Sequence, residues 1–222
     1  MRIRQLTLAT SDLEGLAAFY GERLGLPVER GADEIDVRLF HSTIRFRRAD
    51  DPDLDARYHF AINVPGTIGE AVEWLRERHE VLTFDGDPVR TDVGDGCVYF
   101  LDAAGNVVEL IASPRIRGEG AFGPWSLIEV AEIGIASADP DTTCAALREF
   151  FGEGVLWGGG PDSLLTAVGD SHAVVIVAPI GRGWIPVDLT ARPLPTEIVA
   201  DESPPRELTL PEGPYLLRIE RD

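Results

Sequence analysis

In the segment Tyr58–Val64, His59, Ala61 and Asn63 alternate with Phe60, Ile62 and Val64. An imidazole and an amide therefore share one face of a strand, and an apolar row takes the other. That division suits a strand packed on helices behind and lining a polar pocket in front. The same alternation puts Gln5 and Thr7 (residues 3–10) and Val107 and Glu109 (residues 106–112) on the face away from the helices. A neutral imidazole, a carboxylate and an amide oxygen form a donor set that can hold a divalent first-row metal and leave positions open to water or substrate. Arg45 and Arg47 take the same face, because Ile44 and Phe46 take the other. Two guanidinium groups there would suit a clamp for a carboxylate or phosphate.

The elements that must carry these residues recur. Ser11 or Asp12 caps a helix in which Leu13, Leu16, Ala17, Tyr20 and Leu24 fall at helical spacing, and Gly25 ends it. Short strands are expected at 27–30, 35–40 and 43–47. The pattern restarts with a strand at 57–64, a helix at 67–79, a short strand at 81–84, a polar loop at 85–96 and a hairpin, 97–101 with 106–112. Two βαβββ units in tandem describe this economically. A third start follows at 130–136, with a helix at 140–151 and strands near 155–158, 163–168 and 173–178. Residues 196–200, 207–210 and 215–220 read as strands with no helix among them, a stripped-down fourth unit.

Composition narrows the classes. The net charge of −18 argues against nucleic acid, whose affinity comes mainly from cations meeting phosphates. All 20 basic residues are arginine, so no Schiff-base or P-loop lysine is available. No apolar run approaches the length of a membrane span, and no signal-peptide core follows Met1. Cys97 and Cys144 are too few and too far apart for a disulfide framework and read as buried free thiols. A cytoplasmic protein is expected, without membrane or nucleic-acid partners.

Three stretches carry a family resemblance: Ser11–Tyr20 leading into Leu24-Gly25-Leu26, the strand around His59, and Tyr99–Leu110 with its turn Asp102-Ala103-Ala104-Gly105-Asn106. Residues 1–112 resemble the vicinal oxygen chelate superfamily, the glyoxalase/bleomycin-resistance/extradiol-dioxygenase fold. Residues 127–222 resemble a second, shortened copy, with 113–126 as a linker. The implied fold is α+β, with tandem βαβββ modules (1–50 and 56–112) curling into a cup that holds metal and substrate on its concave face.

Carried over residue by residue, the family's metal positions fall on Gln5, His59 and Glu109. Gln5 stands where the iron dioxygenases have histidine, which favours Lewis-acid chemistry over oxygen activation. The last strand of the first module would bring Arg45 to the site. There it either contacts an anionic substrate, with Arg47 and Asn63, or pairs with Glu109 and removes the need for metal. The resemblance implies a divalent-metal-dependent enzyme (Fe, Mn, Ni or Zn; lyase, isomerase or dioxygenase type) acting on a small oxygen-rich molecule in the cup of the first domain. The alternative is a metal-free protein that binds or sequesters a small molecule, as bleomycin-resistance members do. Either form would be a monomer or homodimer.

Lesser readings complete the set. Glu132 occupies the position of Gln5 and His59 in the third unit and could serve a second site there, but with no carboxylate partner in register the second half is read as structural. His79 is expected to stabilise a helix C-terminus. Tyr58 is a packing residue or a proton donor. His41 and His172 fall in turns, and Gly169–His172 and Gly181–Trp184 read as turn chemistry.

Overall fold

The computed structural model describes residues 1–91, 96–118, 120–158, 164–201 and 204–220. The first module runs β1 (Arg2–Thr10), α1 (Leu13–Ala17), β2 (Val28–Arg30), β3 (Glu34–Arg38) and β4 (Thr43–Arg48). Asp12 caps α1 by accepting from the Gly15 amide at 2.8 Å, and wider π-type turns continue the helix to Arg23. The second module is β5 (His59–Val64), α2 (Ile68–Arg76), β6 (Cys97–Leu101) and β7 (Val107–Ala112). Thr67 and Glu70 form the capping box of α2, the Glu70 carboxylate accepting from the Thr67 amide at 2.9 Å. The third is β8 (Glu129–Ser137), α3 (Pro140–Phe151), β9 (Val155–Gly158), β10 (Thr166–Gly169) and β11 (Val174–Pro179). A two-stranded ribbon, β12 (Gly183–Trp184) with β13 (Leu189–Thr190), leads to the helix-free fourth module: β14 (Thr196–Asp201), β15 (Arg206–Leu210) and β16 (Tyr215–Glu220).

In each module the last strand returns parallel to the first: β1 with β4, β5 with β7, β8 with β11, β14 with β16. This leaves one edge of each first strand free for another module. Those edges pair crosswise. β5 runs antiparallel to β8, and β1 antiparallel to β14. A single register pair, Ile3 with Val130, stitches β1 to β8 and joins everything into one 14-stranded sheet. Among the described residues no ladder joins β1 to β5. The two modules of residues 1–112 therefore do not build a cup with each other; each builds one with a module of the other half. The chain after β7 is long enough to return β8 beside β5, and the Ile128 amide, just before β8, already bonds the Asn63 carbonyl at 3.0 Å.

Leu6, Leu8, Phe46, Phe60, Ile62 and Phe100, all fully buried, form the helix-side core, as the alternation predicts. Each contributes about 1.5–3 kcal/mol on burial. The opposite face carries a second, smaller apolar set, including Ala61, Tyr99, Val107, Ile176 and Trp184. The Asp102–Asn106 turn is structural. The Asp102 carboxylate accepts from Tyr20 Oη (3.0 Å), Asn106 Nδ2 (2.8 Å) and two backbone amides, tying the hairpin to the helix of another module. The strand expected at 81–84 is absent; only isolated bridges, Leu82 with Tyr99 and Phe84 with Asp87, occur there. With exposed Phe84 and a positive φ at Asp85, that stretch turns away before a ladder forms. Position 163 and part of the 85–96 loop lie outside the described residues.

Candidate functional site

The site follows from strand register. Ala61 on β5 is the Cα partner of Glu109 on β7 and of Glu132 on β8. Directly paired residues share a face, so both glutamates stand on the concave side with the Ala61 methyl on the strand position between them. Their Cα atoms lie two strand spacings apart, roughly 10 Å, and their side chains lean together over the gap. His59 is two residues before Ala61 and takes the same face. Its Nε2 lies 3.6 Å from Glu109 Oε2, and the ligand atoms of His59, Glu109 and Glu132 all fall within 4.8 Å of one another. A register shift between Ala61 and Ile62 leaves Ala131 as an extra residue on β8, a bulge beside Glu132 of the kind that re-aims a side chain.

Electrostatics fit a cation. Burial pushes the His59 imidazole down to about 4; the Val107 backbone opposes this and the Arg182 charge adds to it. His59 is therefore neutral at physiological pH, the form that coordinates metal. Among the described residues its buried Nδ1 meets no hydrogen-bond partner. Burial raises the Glu132 carboxyl well above the usual carboxylate range, and the charge of Glu109 raises it further. Two adjacent buried carboxylates resist joint ionisation unless a cation sits between them. Tyr99, register partner of Glu109, is likewise held protonated by burial and by that charge.

A cavity of about 750 Å³ opens over these residues. Tyr99, Ile111, Leu156, Trp157, Leu165 and Trp184 supply much of its apolar wall. Trp184 stacks on His59 with ring centroids 5.1 Å apart. It reaches that position because residue 134 is glycine: a Cβ there would lie 2.6 Å from the indole.

Residues 5–111 match a family model described as a glyoxalase-like domain. The crystal structure of a putative dioxygenase from Bacillus subtilis is similar across 99% of this chain and 84% of its own, at 15% identity and a TM-score of 0.62. Glyoxalase I from Zea mays is similar across 98% of this chain and 91% of its own, at 13% identity and a TM-score of 0.59. The matched segment spans a little under half of the chain, and the fold is the paired-module fold of vicinal oxygen chelate proteins. At such identities the structural likeness speaks for the fold alone, and no curated protein matches the chain.

The sequence-derived site is partly regrouped. His59 and Glu109 meet as expected. Gln5 does not join them: β1 belongs to the other cup, where Gln5 Nε2 donates to Thr7 Oγ1 at 3.2 Å. Glu132, given a structural role from sequence, takes the third position because β8 rather than β1 lies beside β5. The Arg45–Glu109 pair is not formed. Arg45 grips Asp36 through Nε and Nη2 at 2.7 and 2.8 Å, and its guanidinium holds the Asp36 carboxyl below the usual range. Arg47 reaches Glu197 at 3.1 Å. Neither arginine lines the cavity, because both stand in the cup of the first and fourth modules. Asn63 does line it, but its amide is committed to the His172 carbonyl (3.1 Å) and Glu129 (3.4 Å).

The Tyr58 hydroxyl is structural. It donates to the Pro195 carbonyl and accepts from the Ala9 amide, and it lies outside the cavity. His79 lies beyond the end of α2 and bridges instead to the Leu101 carbonyl at 2.8 Å. Arg182 and Trp184, read from sequence as turn residues, line the cavity. The only local signal was a tryptophan inside a glycine-rich turn.

Proposed function

We propose that this chain is a divalent-metal-dependent enzyme of the glyoxalase/dioxygenase type, acting on a small oxygen-rich molecule in the cup shared by its second and third modules. The observation that carries this reading is the convergence of His59, Glu109 and Glu132 from three strands at ligand distances. Those three residues would hold the ion, and the chemistry it supplies is polarisation of two neighbouring substrate oxygens, which stabilises an enolate or alkoxide.

The remaining roles belong to the chain itself. Neutral His59 keeps a lone pair on one ring nitrogen, and the Trp184 face stacked on it fixes the ring plane. Tyr99, kept protonated, stands beside Glu109 as a donor that orients its carboxylate. Glu132 retains partial exposure to the cavity, so its carboxyl oxygen is the one able to exchange a proton with a bound molecule. The apolar wall excludes water and strengthens each of these contacts.

The largely apolar lining also supports a second reading, in which the cup sequesters a ligand without metal. Metal analysis separates the two. Protein purified without chelator should carry about one divalent ion per chain, and His59→Ala should lose it. Metal-free protein whose ligand binding is unchanged by His59→Ala would leave the sequestration reading standing.

A further inference from the structure

We propose that Arg182 anchors an anionic group on the molecule this cavity binds, so that the ligand carries a carboxylate or equivalent oxyanion on an apolar body. The proposal rests on the cavity being the ligand site and deepens that reading, but it does not require the metal.

Arg182 is held firmly by its backbone. Its amide donates to the Pro179 carbonyl (3.2 Å), and its own carbonyl accepts from Ala191 (2.7 Å), at the mouth of the β12–β13 ribbon. Its guanidinium carbon lies 5.8 Å from the Trp184 ring centroid, and Trp184 in turn rests on His59. The charge is thus aimed at the same space as the candidate ligands. Its Nη1 is buried and, among the described residues, meets no hydrogen-bond acceptor. Burial lowers the guanidinium pKa, and Asp188 opposes this only through its field.

A buried guanidinium N–H without an acceptor is costly, and an oxyanion entering the cavity removes that cost through a charge-assisted contact. Of the other arginines of this wall, Arg115 donates to Ser171 and Arg90 lies over Phe84, and neither has a buried N–H lacking an acceptor as Arg182 does. Beyond Arg182 the cavity continues along Leu156, Trp157 and Leu165. Leu156 and Trp157 are 51% and 41% exposed on the edge strand β9, a lining that an apolar body would cover. Cation at one end and indole along the wall define an amphipathic anion.

The test uses 2-naphthoate and its uncharged amide, 2-naphthamide, titrated calorimetrically into the full chain with and without chelator. We expect the chelated wild type to prefer the carboxylate by about tenfold or more. Arg182→Gln should lose that preference while keeping amide binding, and Arg182→Lys should retain part of it. Equal binding of the two probes, a preference that survives Arg182→Gln, or no binding of naphthoate by wild type at tens of millimolar overturns the proposal. If either variant fails to fold, the wild-type comparison still decides. A carboxylate preference without metal uptake would sink the metal-dependent reading and leave this one intact; metal uptake without the preference would do the reverse.

Discussion

Glu109 and Glu132, 23 residues apart in the chain and on opposite sides of the 113–126 connection, face each other across Ala61. Ala61 is fully buried, and its methyl stands on the strand position between the two glutamates. Ala61→Leu should fill the gap between them. Overpacking of this kind costs about 1–3 kcal/mol, so the variant should fold with a lowered Tm and take up no divalent ion. Metal uptake at the wild-type level would show that the gap is not the ion's place.

Glu132 makes the metal-free protein less stable than it could be. Its carboxyl pKa is raised on folding, so its favourable contribution is full below the unfolded value of about 4.5 and is lost as pH rises through the folded value. Glu132→Gln should therefore stabilise chelated protein at neutral pH, by about 1–2 kcal/mol. The same substitution should abolish the rise in Tm on adding a divalent ion. Denaturant melts with and without chelator check both arms.

His59 acts with the opposite sign. Its folded value of about 4 lies below the unfolded 6.5, so the unfolded chain binds more protons between them and stability rises with pH across that window. Metal affinity should fall only as pH drops to about 4, where the folded imidazole takes up a proton, since only neutral imidazole coordinates. Loading should also release protons at neutral pH, because Glu132 must ionise. Calorimetry in buffers of different ionisation enthalpy should report about one proton released per ion in wild type and no binding heat in Glu132→Gln.

Arg45 serves the other cup. Arg45→Ala should cost about 1 kcal/mol, because the bidentate Asp36 pair is partly exposed, and should leave metal content unchanged. Loss of metal in this variant would restore Arg45 to the site.

Gly134 is the seat of Trp184. Gly134→Ala places a Cβ against the indole, so Trp184 must lift from His59. Intrinsic fluorescence should shift to the red and metal affinity should fall, with far-UV circular dichroism unchanged.

The period-2 alternation around His59 and Glu109 was legible because one face of each strand meets a core, and the structure places both residues on the cup face as read. The capping residues Asp12 and Thr67 and the Asp102–Asn106 turn were legible for similarly local reasons. Which module lies beside which was not. Register between β5 and β8 depends on edges that present the same alternation as β1 and β14, so no local pattern chooses between the partners. Gln5 and Glu132 occupy equivalent positions on equivalent strands, and only the crossed pairing brings the glutamate to His59. Arg182 escaped notice because its role depends on an indole folded over a strand some fifty residues earlier in the chain.

The most direct test of a site shared between the halves is elemental analysis of wild type, Glu132→Ala and Gln5→Ala purified side by side without chelator. The crossed arrangement predicts about one divalent ion per chain in wild type and Gln5→Ala, and none in Glu132→Ala. An ion kept by Glu132→Ala and lost by Gln5→Ala, or absent from all three, would contradict it.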